Sequence, residues 1–312
     1  MSTSRPQIQG ILIYALGIGA FATMDALAKH LSRDYPVFEL VLLRVIVGYL
    51  PILIQYQLGP EQGWQAVRSQ TPGLQLLRGG LMLASAATFL LSLSRLTLAD
   101  ATALSLIAPL LMAVFGVYVL REPSSRQLSL TIAVAIAGAL LIVHPYLADL
   151  SVYVLVACLS AIFYALAAVT TRKLGQSDPS IVTALWGNTT MLAGAAALVG
   201  LTGWTWPVEG DWLPVLGMGL AGGLANILYI VGLRRSRVSD VAVMDYTSFA
   251  WAAAFGILVF REPVSAASLL GAGLIVGSGA YSAFHKWRRS GAGASSKLAA
   301  RPRGRSLQPS AQ

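Results

Sequence analysis

Residues 98–123 read LADATALSLIAPLLMAVFGVYVLREP and residues 239–263 read SDVAVMDYTSFAWAAAFGILVFREP, one pattern written twice. Arg95, Asp100, Phe115, Gly116, Val119, Arg121, Glu122 and Pro123 recur as Arg235, Asp240, Phe255, Gly256, Val259, Arg261, Glu262 and Pro263, all displaced by the same 140 residues. A constant displacement over that many positions marks duplication of a long unit. What the unit contains therefore decides the architecture.

It contains helices that belong in lipid. Of the 312 residues, 56% are hydrophobic and 11% charged, against the quarter or so of charged residues usual in a soluble domain. Apolar runs long enough to cross a hydrocarbon core of about 30 Å recur along the chain. Ten spans are expected, near 10–31, 36–55, 73–94, 98–120, 127–144, 151–171, 181–201, 212–233, 239–260 and 264–283. The runs are continuously apolar rather than alternating, so helices are expected and not a barrel. The first run carries charges where a signal peptide would be apolar, and it should stay attached.

Five spans per copy is an odd number, so the second copy enters the membrane from the opposite side. The expected fold is thus an all-α membrane protein of ten transmembrane helices in two inverted five-helix repeats, 1–145 and 146–285, followed by a basic disordered tail over 286–312. Inverted repeats about an axis in the membrane plane are the architecture of alternating-access transporters.

Most of the 22 basic residues fall in the tail and in connections on the side of the two termini. That bias places both termini in the cytoplasm and the chain in a bacterial-type inner membrane. The segment 202–213 on the other side has two acids, no base, and Trp204, Trp206 and Trp212 at the height of an aromatic belt. Topology accounts for the net charge of +9, so nucleic acid is not an expected partner, whereas membrane lipid is. The single cysteine, Cys158, lies within a span, the three histidines stand far apart, and no phosphate loop or nucleophile elbow is present. No cofactor, metal or enzymatic activity is expected.

The chain resembles the EamA-type members of the drug/metabolite transporter superfamily. LLRGGLML at 76–83 and the two stretches quoted above carry the resemblance, and MDYTSFAW is closest in flavour to the riboflavin and S-adenosylmethionine transporter branch. The resemblance implies movement of a small organic solute such as a vitamin, an amino-acid-derived compound or an opine-type metallophore, without ATP hydrolysis. Uptake of a riboflavin-like or nucleoside-like compound competes with efflux of an amino-acid-derived one. H+ is a candidate coupling ion and a homodimer a candidate assembly; outside transport, the alternative is a membrane scaffold or sensor.

Charges inside spans are costly, at roughly 2.5 to 3.5 kcal/mol for a lone one at a helix centre, so each should face protein or a wet cavity. Asp25, Lys29, Glu39, Arg44, Arg78 and Asp245 are such charges and are the candidates for substrate binding or coupling. Asp25 and Lys29 are four apart on one helical face and can pair; Lys29 can instead pair with Glu39 across the first hairpin or reach the interface. Arg44 needs a partner from another helix, and Arg78 either ties to carbonyls or to a neighbouring acid, or meets substrate. Asp245, with Tyr246 and Trp251, forms a cluster suited to an amine and a flat ring, or else answers Arg78 or Arg44 from across the bundle. Tyr164, Trp186, Asn188 and Asn226 are weaker candidates, each more often helix glue. Pro109 is a candidate hinge in the fourth span. The repeated Arg-Glu-Pro reads mainly as a helix end at the interface.

Overall fold

A computed structural model describes residues 5–58, 67–119, 126–143, 152–235, 244–278 and 280–281. The first Arg-Glu-Pro run, Asp240 and the 286–312 tail lie outside them. Among the described residues every regular element is helical. In chain order these are α1 (Arg5–Leu31), α2 (Val37–Gln57), α3 (Pro72–Leu93), α4 (Leu98–Ser105), α5 (Ala108–Val119), α6 (Arg126–Val143), α7 (Val152–Leu174), α8 (Ser180–Thr202), α9 (Trp212–Arg235), α10 (Thr247–Leu258) and α11 (Ala266–Ser278).

Among the described residues six helical stretches are long and apolar enough to cross a bilayer: Leu12–Leu31, Val37–Gln57, Pro72–Leu93, Val152–Leu174, Ser180–Thr202 and Glu209–Gly232. Shorter apolar helices cover Leu98–Met112, Thr247–Leu258 and Ala266–Ser278. Leucines such as Leu12, Leu16, Leu53, Leu155 and Leu213 stand exposed on the outside. In water that surface would be costly. In lipid it is not, because acyl chains are as apolar as leucine.

The packing pairs exchange between the halves. α1 lies along α9 as α3 lies along α7, α2 packs on α9 as α3 packs on α8, and α10 packs on α1 as α5 packs on α7. Small residues set these crossings, since helices in lipid gain by close approach rather than by escape from water. A Cβ at Gly223 would run into the Gly48 backbone, so α2 and α9 touch main chain to main chain there.

The fourth span is broken, but not where its proline suggests. Helix geometry lapses at Leu106 and Ile107, and α5 restarts at Ala108 with Pro109 in its first turn, where no backbone N–H is needed. The Ile107 carbonyl takes the N–H groups of Leu110 and Leu111, both at 3.0 Å. The second half breaks at the corresponding place. Met244 and Asp245 are helical, Tyr246 turns, and α10 begins at Thr247. Two hydroxyls satisfy the carbonyls that this break frees: Thr247 Oγ1 donates to Met244 O and Ser248 Oγ to Asp245 O, both at 2.6 Å.

Candidate functional site

The two broken helices and the middles of α1, α2, α3, α7, α8 and α9 enclose a cavity of about 240 Å³. Four of the six intramembrane charges line it: Asp25, Arg44, Arg78 and Asp245. Tyr164, Asn188, Asn226 and Pro109 line it as well.

Asp25 projects from the second half of α1 into the cavity and makes no hydrogen bond among the described residues, and neither of its oxygens is sealed off. It is not paired with Lys29. Arg44, from α2, is electrostatically coupled to Asp25, yet no ion pair within 4 Å joins them. Its contact with protein is Nη1 to Met24 Sδ at 3.6 Å.

Arg78 is held more firmly. Nε donates to Thr171 Oγ1 at 2.6 Å and Nη1 to the Thr183 carbonyl at 3.2 Å, which fixes α3 against α7 and α8. A Cβ at Gly187 would collide with Nη1, so glycine there makes room for the guanidinium. Nη2 has no hydrogen-bond partner among the described residues and is not sealed off, in a side chain that lines the cavity. The carbonyl tie weighed for Arg78 is thus present, together with a donor to spare.

Asp245, just before the second helix break, accepts from Tyr14 Oη at 2.6 Å and, among the described residues, from no basic side chain. Tyr14 packs on Tyr229 with ring centroids 5.1 Å apart and the rings tilted by 36°, and Tyr229 interacts in turn with Tyr164. A tyrosine relay therefore runs from Asp245 toward Arg78. Tyr14 and Tyr229 were not singled out from the sequence; a tyrosine in an apolar helix looks like packing until its partner is seen.

The remaining candidates sit elsewhere. Lys29 is buried but faces away from the cavity: Nζ meets Glu262 Oε1 at 2.7 Å and donates to the Leu96 carbonyl at 2.9 Å. Glu262 Oε2 also accepts the Leu98 N–H at 3.1 Å, so the second Arg-Glu-Pro run does more than end a helix. It clips the end of α1 to the start of α4. Glu39 accepts the Thr205 N–H at 2.9 Å instead of answering Lys29. Tyr246 is buried in the core, and Trp251 is 47% exposed and stacked on Phe255. Of the expected Asp245, Tyr246 and Trp251 cluster, Asp245 alone lines the cavity. Trp186 donates to the Val67 carbonyl and is glue.

At the two ends, clasps join the halves. Tyr35 donates to Asp211 Oδ2 at 2.6 Å, and that hydrogen bond, more than burial, raises its hydroxyl pKa above the usual value. At the opposite end Asp178 accepts from Ser69 Oγ, from the Gln70 N–H at 2.9 Å and from Gln75 Nε2 at 2.8 Å. Burial alone would raise the Asp178 carboxyl, but these hydrogen bonds outweigh it and hold it below its ordinary value.

Duplication, two broken helices and a charged cavity between the halves set this chain beside known families. The EamA-like transporter family matches it twice, over residues 8–144 and 151–282. The chain belongs to that family. It is 30% identical over 272 residues to the pseudopaline exporter CntI of Pseudomonas aeruginosa, covering 86% of this chain and 93% of the relative. It is 20% identical over 275 residues to an S-adenosylmethionine uptake transporter of Rickettsia prowazekii, covering 87% and 91%. A protein of known crystal structure superposes with a TM-score of 0.65 at 21% identity, over 90% of this chain and 99% of the other, a likeness of fold. The chain is a multi-pass membrane transporter of the drug/metabolite superfamily.

Proposed function

We propose that the protein is an inner-membrane secondary transporter that moves a small polar, amino-acid-derived metabolite by alternating access, with both termini cytoplasmic. The reading takes the ten expected spans as two inverted repeats, 1–145 and 146–285, with the broken α4–α5 unit counted as one span. One observation carries it: two acids and two guanidiniums, from both halves, line a single cavity flanked by two interrupted helices. Interrupted helices beside a midplane cavity supply backbone ends and room for polar solute. The balance of signs favours a solute bearing both charges over a simple ion.

Efflux is the favoured direction, since the relative at 30% identity is named an exporter. Asp25 and Asp245 are the carboxylates available to H+ as coupling ion. The test is an untargeted comparison of metabolites, inside cells and in the medium, with and without the chain, with pseudopaline and S-adenosylmethionine as defined probes. Accumulation of an amino-acid-derived compound in the medium, abolished by collapsing the pH gradient, supports the reading. Identical profiles in both compartments sink it and leave a scaffold or sensor.

A further inference from the structure

Of the four cavity charges, Asp25 and Arg44 differ from the others in having almost nothing of the protein to hold. Asp245 has Tyr14, and Arg78 has Thr171 and the Thr183 carbonyl. Among the described residues Arg44 touches a thioether sulfur, a weak acceptor, and Asp25 accepts no hydrogen bond. The stem of Arg44 is steadied by its surroundings: a Cβ at Gly222 would lie 2.8 Å from Met24 Sδ and 3.6 Å from Arg44 Cγ. Beyond that sulfur, its guanidinium has no hydrogen-bond partner among the described residues.

Opposite charges in a poorly screened site normally close into an ion pair, and these two do not, although they share a wall of one cavity. The pair is neutral as a unit, so the empty protein carries no net charge there. A solute with one charge would compensate one member and leave the other desolvated, which is costly. A solute with an ammonium and a carboxylate on one carbon compensates both at once. It offers the guanidinium a planar two-oxygen partner and offers the carboxylate a compact three-donor one.

Resting on the transport reading, we propose that Asp25 and Arg44 form the head-group site for an α-amino-acid moiety, its carboxylate on Arg44 and its ammonium on Asp25. Arg78 and Tyr164, which line the same cavity, then meet the rest of the solute, with Tyr229 and Tyr14 behind Tyr164. The head-group pair comes from adjacent helices of one half, while Arg78 is pinned to helices of the other. A solute bound in this way touches both halves and senses their relative motion.

The test uses the full chain in lipid vesicles loaded with a small-molecule cell extract, with efflux read by mass spectrometry. The competitors are S-adenosylmethionine and the common L-amino acids, each beside its decarboxylated amine and its deaminated acid, and binding is also read as a thermal-unfolding shift. Expected are exported solutes that carry the ammonium-carboxylate carbon, and truncated competitors at least tenfold weaker than intact ones. Arg44→Gln should weaken intact head groups at least tenfold and leave the decarboxylated amines unaffected; Asp25→Asn should do the converse with the deaminated acids. Arg44→Lys, which keeps the charge but loses the fork, should fall between, and unfolding without solute shows whether each variant is folded. Exported solutes that lack the head group, or truncated competitors as good as intact ones, overturn the head-group site and leave transport standing. No efflux of any solute from vesicles of either orientation overturns the transport reading, and the site with it.

Discussion

Arg78 shows how one residue can be both structure and site. Three helices meet at its guanidinium, and Gly187 is the gap that admits it. Gly187→Ala should push Nη1 off the Thr183 carbonyl, leaving a buried donor and acceptor badly matched at a cost of about 1–3 kcal/mol. Thermal unfolding in detergent should fall accordingly, and Arg78→Met should cost less in that background than in wild type, since the Thr183 contact is already lost and the Thr171 bond alone remains to be removed. Asp25, Arg44, Arg78 and Asp245 were legible in the sequence because a charge within an apolar run demands an explanation. Tyr14 and Tyr229 were not, since a phenol is at home in lipid and its hydrogen bond to Asp245 joins residues 231 apart. Lys29 and Glu39 misled for a related reason: both lie near helix ends, where segments of the other half, Glu262 and Thr205, reach them first.

Among the elements, the interrupted helices and the clips around them repay separate tests. The helix pattern was legible from apolar run lengths, whereas the break at Leu106–Ile107 carries no glycine and precedes its proline, which fits the restarted turn. Lys29 lies buried against Glu262, and breaking such a pair from one side strands a charge. Glu262→Gln should therefore cost about 3 kcal/mol. Lys29→Met with Glu262→Gln should recover much of that loss, a non-additivity read from the four unfolding midpoints. The Asp178 clasp behaves differently, as a function of pH. Its carboxyl is held below the ordinary value, so its contribution is full above about pH 4, the unfolded value, and drains away as the pH falls through the folded one. Asp178→Asn should lower stability at neutral pH, and the gap from wild type should close on acidification below the folded value. A constant gap at all pH values would mean that Asp178 acts through shape alone.

For the whole molecule the governing issue is handedness with respect to the membrane. Helix packing exchanges between the halves, and the family matches each half separately. A pair of copies with five spans apiece must lie head to tail, whereas copies with an even number would lie parallel. Two runs of identical sequence, Arg-Glu-Pro at 121–123 and at 261–263, report on this directly. The chain has one native cysteine, Cys158, so a Cys158→Ala background allows single reporters. Arg121→Cys should be protected from a membrane-impermeant thiol reagent added outside intact cells and labelled after permeabilisation. Arg261→Cys should be labelled from outside. Arg261 has a left-handed φ of 55° and an exposed side chain, so cysteine there should be open to reagent without disturbing the Glu262 clip. If both positions label from one side, the halves are parallel. The cavity then loses the symmetry that lets it open in turn to each face, and Asp25 and Arg44 would be approached by solute from one side only.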